Sequence, residues 1–179
     1  MDFKGTVYRG HNPCWSFDPL SGEGARVRGG RFNLRGMPAL YLSLSQIVAL
    51  SEYNQGFPRR PQPVTLCAYE VDCTDIIDLT DVGERHRVGT TLAVMSSAWE
   101  LFLHQKQTPQ TWLLANNLVS DGVAGIIVPS FAANAPEGGK NLVLWDWRDS
   151  PPHQVRVIDD HGLLPNNQNS WRSHRKGRA

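Results

Sequence analysis

Short apolar or alternating segments open this chain and close it, with two helical patterns between them, and that order restricts the fold more than any single motif does. Residues 6–9, 31–33 and 39–43 read as brief strands. A helix is expected directly afterwards, capped by Ser43 or Ser45, striped by Ile47, Val48, Leu50 and Tyr53, and stopped at Gly56-Phe57-Pro58. On it Glu52 lies four residues after Val48, at the edge of the apolar stripe. Residues 64–71 form the clearest long strand, with Val64, Leu66, Ala68 and Cys67 as its expected buried edge, and 75–79 extend the pattern. After a loop over 81–89, residues 91–107 and 110–121 are expected to be helical, sending Leu92, Met95, Trp99, Phe102, Trp112, Leu113 and Leu118 to the core. Residues 125–129, 141–147 and 154–159 read as three closing strands, with a Gly- and Pro-containing loop over 132–140. Strands, then helices, then strands predict an α+β domain rather than a βαβ repeat.

At 179 residues and 40% hydrophobic, the chain fits one domain able to bury most of what its unfolded form exposes. No apolar run approaches the roughly 20 residues that span a bilayer, and no secretory apolar stretch follows Met1, so a cytoplasmic protein is expected. Cys14, Cys67 and Cys73 are odd in number and lack a Cys-x-x-Cys pair, which encodes neither a disulfide framework nor a zinc site. The six histidines form no His-x-x-x-His arrangement, and a metal-dependent mechanism is not expected. The net charge of +1 is uneven, because Arg172, Arg175, Lys176 and Arg178 follow the last acid, Asp160. Setting those four aside leaves 14 cations against 17 anions, about −3, so the body is not a nucleic-acid surface by charge. Residues 164–179 are expected to form a basic tail, disordered until something binds it.

The chemistry-bearing stretch runs Arg-Val-Arg-Gly-Gly-Arg-Phe-Asn-Leu-Arg-Gly from Arg26 to Gly36, followed by Leu40-Tyr41-Leu42-Ser43 and then Glu52. Adjacent glycines let backbone approach a ligand, and arginines offer fork donors to phosphate oxygens. An ordinary polar turn has the same composition. Neither a Gly-x-Gly-x-x-Gly fingerprint nor a Gly-Lys-Ser/Thr phosphate loop occurs, so a dinucleotide would need another kind of cleft.

Taken in order, Tyr8-Arg9-Gly10, Gly29-Gly30-Arg31-Phe32-Asn33 with Gly36, Leu40-Tyr41-Leu42-Ser43, Ala49-Leu50-Ser51-Glu52, Ile127-Val128-Pro129-Ser130 and Asn141-Leu142-Val143 resemble the RES-domain family across roughly residues 6 to 160. The Arg, Glu and Ser of the family's name match Arg31, Glu52 and Ser130. The resemblance implies a RES domain over residues 1–163, a fold like that of the ADP-ribosyltransferase toxins, and the toxin component of a bacterial toxin–antitoxin pair that consumes NAD. It further implies a cognate antitoxin as partner, with nucleic acid reached only indirectly through it.

Under that resemblance Arg31, Tyr41 and Glu52 are the candidate catalytic residues, and Arg9, Arg31, Tyr41, Ser130 and Asn141 the candidates for holding NAD, the co-substrate. Breaking the nicotinamide–ribose bond builds oxocarbenium-like charge on the sugar, which a fixed carboxylate such as Glu52 stabilises. Arg31 would grip the pyrophosphate or ribose as a fork, with Arg9 assisting; Tyr41 would stack on nicotinamide and orient it through its hydroxyl; Ser130 would bind the ribose or carboxamide. For Arg9 and Asn141 the residues alone leave structural and ligand-facing roles evenly balanced. The expected reaction is transfer of ADP-ribose to a protein target, with NAD glycohydrolysis or phosphorolysis as the alternative and a non-catalytic binding module as a further one. Arg26, Arg28 and Arg35 read as solvated charges, and Trp145 and Trp147 as alternating strand residues.

Overall fold

The computed structural model describes residues 1–55 and 60–169. Among the described residues seven strands make one mixed sheet: β1 (Phe3–His11), β2 (Leu40–Ser43), β3 (Thr65–Cys73), β4 (Ile76–Asp78), β5 (Gly125–Pro129), β6 (Lys140–Leu144) and β7 (His153–Val157). Their spatial order is β4-β5-β6-β2-β1-β3-β7. Only β4 and β5 run parallel; every other neighbouring pair is antiparallel. The α+β class follows from this mixture, with the helices α1 (Glu23–Arg28), α2 (Gln46–Asn54), α3 (Val82–Arg87), α4 (Leu92–Met95), α5 (Trp99–His104) and α6 (Gln110–Ser120) inserted between strands.

The sheet buries both faces. Val7, Leu40, Leu42, Tyr69, Val71, Leu142, Leu144 and Val155 form one core, closed over by Leu20, Trp147 and Leu164. Phe32, Leu79, Met95, Leu114, Leu118, Ile126, Val128 and Val143 form the other, beneath α4 and α6. Each such side chain contributes about 1.5–3 kcal/mol when fully buried, so the two cores supply most of the drive to fold.

Several local expectations need correction. In β3 the buried residues are Cys67, Tyr69, Val71 and Cys73, whereas Leu66 is 37% exposed: the alternation runs one residue out of phase with the expected edge. Residues 31–33 are not a strand but a tight turn closed by the Gly30–Asn33 bridge. The expected loop over 81–89 contains α3, whose first turn is capped by Asp81 accepting from the Glu84 N–H. The single helix expected over 91–107 is broken into α4 and α5 at Ser96–Ala98, and Leu92 and Leu113 face outward while Leu114 and Ala115 are buried. Trp145 and Trp147 lie beyond the end of β6 and donate their indole N–H groups to the Phe32 and Leu20 carbonyls. The basic-tail cations Arg172, Arg175, Lys176 and Arg178 lie outside the described residues. Among the described residues no helix is long and apolar enough to cross a membrane.

Candidate active site

The antiparallel register lines up one row of residues across the sheet. Tyr8 of β1 faces Ser43 of β2, Ser43 faces Asn141 of β6, and Asn141 faces Val128 of β5. Helix α2 lies beside this row, its first turn capped by Ser45, whose hydroxyl accepts from the Val48 N–H. Val48 and Ala49 are buried, and one turn later on the same side Glu52 reaches the row.

There Glu52 Oε1 accepts two hydrogen bonds, from Ser130 Oγ at 2.6 Å and from Asn141 Nδ2 at 2.6 Å. Ser43 Oγ in turn donates to Asn141 Oδ1 at 2.7 Å, which fixes the amide so that its N–H points at the carboxylate. Gln55 donates to the other oxygen, Oε2. Ser43 was expected at most as a helix cap; its second role depends on pairing with a residue 98 positions away, for which the sequence carried no local signal. Fixing one carboxylate oxygen by two donors leaves the orientation of the charge determined before any substrate arrives.

The cleft at Glu52 has a volume of about 260 Å³ and is lined by Tyr8, Arg9, Tyr41, Ser43, Tyr53 and Asn141, among others. Arg9 Nη1 donates to the Ser21 carbonyl at 3.2 Å. Burial pulls its guanidinium below the ordinary value.

Arg31 and Tyr41 are held by contacts that the sequence did not disclose. At the helix break between α4 and α5, Arg31 Nη1 donates to the carbonyls of Met95 and Ser97, at 3.0 and 2.5 Å, the Ser97 carbonyl also accepting from the Trp99 N–H. The Arg31 guanidinium also lies 4.8 Å from the Phe131 ring centroid, in cation–π range. Burial pulls the Arg31 guanidinium below its ordinary value, against the opposing pull of Glu52 and Tyr41. Arg31 is therefore anchored at one nitrogen while its charge remains within electrostatic reach of Glu52.

The Tyr41 hydroxyl, expected to orient a ligand ring, is committed internally: it donates to Asn33 Oδ1 at 2.8 Å and accepts from the Phe32 N–H at 3.0 Å. Asn33, fully buried, spends its amide on the carbonyls of Ala25, Leu34 and Met37. Burial raises the Tyr41 phenol above its ordinary value, so it stays neutral. This explains the adjacent glycine differently from a ligand approach. A Cβ at Gly30 would stand 2.5 Å from the Tyr41 hydroxyl and 2.6 Å from Asn33 Oδ1, so a side chain there would break the Tyr41–Asn33 bridge. Trp112 Nε1 donates to the Gly30 carbonyl at 2.7 Å, completing a turn that presents Arg31 rigidly.

Two residues along β1 from Arg9, on the same face, sits the buried imidazole of His11, whose Nε2 is 2.5 Å from the Tyr69 hydroxyl. Burial, with Arg9 adding repulsion, pushes His11 down to about 3. The unfolded chain takes up this proton near pH 6.5 and the folded one only near 3, so stability is greatest above 6.5 and is lost as pH falls from there. Denaturant titrations between pH 7 and 4 should show a His11-dependent slope on the order of 1.4 kcal/mol per pH unit. The same titrations on His11→Gln should lack that component; an unchanged slope would mean that His11 protonates freely in the fold.

This chain belongs to the RES domain family, whose profile matches residues 6–167. Among solved structures, a chain of the M. tuberculosis MbcT–MbcA toxin–antitoxin complex has the same fold, with a TM-score of 0.62 over 89% of this chain and 84% of that one, at 23% identity. No curated protein matches the chain.

Proposed function

We propose that this protein is a toxin that cleaves the nicotinamide–ribose bond of NAD and transfers the ADP-ribose to a protein target. The observation that carries the reading is the Glu52 carboxylate, held through one oxygen by Ser130 and Asn141 in a cleft that Arg9 and Tyr41 also line. Membership of the RES family supports NAD as the substrate.

The chemistry asks for charge stabilisation more than for acid–base work. Nicotinamide leaves as a neutral ring, and the electron deficit passes to the ribose as the bond lengthens. A carboxylate pre-aimed by two donors stabilises that developing charge without reorganising. Ser130 and Asn141 act as positioning residues in this scheme, and Ser43 positions Asn141. Arg31 and Arg9 supply positive charge for the pyrophosphate, Arg31 from a turn fixed on four sides. Ser51, one residue before Glu52, donates to the Asn134 carbonyl at 3.1 Å and so ties the 132–140 loop beside the cleft, where a macromolecular acceptor would dock.

A second reading, NAD glycohydrolysis or phosphorolysis, is favoured by the cleft's modest size, which suits an acceptor as small as water or phosphate beside the nicotinamide ribose. Labelled NAD incubated with the purified protein, with and without phosphate and with lysate, separates the two. Nicotinamide release with label on a protein supports transfer, and label on free or phosphorylated ADP-ribose supports the second reading. Absence of nicotinamide release under all conditions would overturn both.

The similarity to a chain from a toxin–antitoxin complex supports a cognate antitoxin for this protein too; on this reading it would cover the cleft mouth near Arg31, Tyr41 and Glu52.

A further inference from the structure

A second and larger cavity, of about 560 Å³, adjoins the Glu52 cleft, and Arg9 and Gly10 line both. Arg9, paired with Cys67, faces away from the Tyr8–Ser43–Asn141 row, so a ligand occupying both spaces would cross between β1 and β2 beyond their pairing at Tyr8 and Ser43, with Arg9 at the crossing. The walls of the second cavity are of a different kind. Trp15 is 56% exposed, its ring centroid lies 6.4 Å from that of Phe17 at an interplanar angle of 34°, and Val27 of α1 is 64% exposed on the same cavity. Large apolar side chains left uncovered around a concave space suit a flat ring system.

Helix α1 leaves the space open: Gly24 lines it, and a Cβ there would meet no atom within 4 Å. The charged lining is Arg9 and Arg28 with Asp18 and Glu23, Asp18 lying within electrostatic reach of Arg9. His11 lines the same cavity and is bound to Tyr69, so Arg9 is the cation at the passage between the two spaces. Nothing in the reaction at Glu52 uses these aromatic residues.

We infer that this second cavity holds the adenosine half of the dinucleotide, the purine stacked on Trp15 beside Phe17 and the phosphates passing Arg9. The inference rests on the reading of the Glu52 cleft as the nicotinamide-ribose end. It divides the substrate between two walls of different chemistry: the Glu52 cleft does the bond breaking, and the Trp15 cavity determines how tightly the adenylate end is held. Trp15 is thus a specificity-determining residue for dinucleotide over mononucleotide substrates. Because it is more than half exposed, truncating it leaves the cores intact.

The deciding probe is AMP, which carries the adenylate end and lacks the nicotinamide–ribose bond that the reaction cleaves. Calorimetry on the full chain should show AMP binding that weakens about tenfold or more in Trp15→Ala, the scale of one lost base–aromatic stack, and recovers largely in Trp15→Phe. Gly24→Leu, which adds bulk at the cavity wall on a helix that tolerates it, should weaken AMP as well. In steady state Trp15→Ala should raise KM for NAD by a similar factor with kcat unchanged, while binding of nicotinamide mononucleotide stays within twofold of wild type. No AMP binding by the wild type, AMP affinity indifferent to Trp15, or equal loss for NAD and nicotinamide mononucleotide would overturn the inference. Trp15-dependent AMP binding by a protein that releases no nicotinamide would instead overturn the reaction assigned to Glu52 and leave the adenylate site standing.

Discussion

Glu52→Gln is expected to lower nicotinamide release from NAD by about 100- to 1000-fold, the usual cost of removing one preorganised electrostatic stabiliser. Shape is kept and charge is lost. The Gln amide oxygen can still accept from Ser130 and Asn141, so the pair of donors on Oε1 remains satisfied. Thermal unfolding should therefore stay close to wild type, and NAD affinity should change far less than turnover. A folded Glu52→Gln protein with wild-type turnover would remove Glu52 from the reaction.

Tyr41→Phe should be costly to the fold itself. It leaves two groups in and around a buried turn unpaired, the Asn33 side-chain Oδ1 and the Phe32 N–H. Stranding both costs roughly 2–6 kcal/mol, at about 1–3 kcal/mol for each unsatisfied buried group. Denaturant unfolding would register this as a lower midpoint at unchanged slope. The ring would still face the cleft, but the turn presenting Arg31 would lose a tether, so KM for NAD should rise with it. Wild-type stability in Tyr41→Phe would show that Asn33 and Phe32 find other partners, and that the hydroxyl is free to serve a ligand after all.

The contrast between these two residues shows what the sequence could disclose. Element order was legible because strands and helices carry different apolar periods, and β5 and α6 stand where the pattern put them, to within a residue. The phase of β3 was not, since apolar residues occupy both of its faces: Leu66 and Ala68 compete with Cys67 and Tyr69, and only sheet packing decides which side is covered. Helix α1 buries no residue and has no side-chain cap, so it has no stripe to read. Helix α3 did carry a signal, Asp81 three residues before Glu84, outweighed by the glycines at 83 and 89. At the site, Ser130 and Asn141 are both brought within hydrogen-bonding distance of Glu52. What Tyr41, Gly30 and Ser43 do is set by long-range register and could be read only from the fold.

The row Tyr8–Ser43–Asn141–Val128 also has a temporal meaning. A ribosome delivers Arg9, Arg31, Tyr41 and Glu52 early, yet the carboxylate acquires its two clamping donors only when Ser130 and then Asn141 emerge and β6 slots between β5 and β2. A nascent or prematurely terminated chain ending before residue 141 thus carries the chemical groups without their alignment. Alignment of the Glu52 carboxylate is thereby deferred until both Ser130 and Asn141 have been made and paired, long after the carboxylate itself.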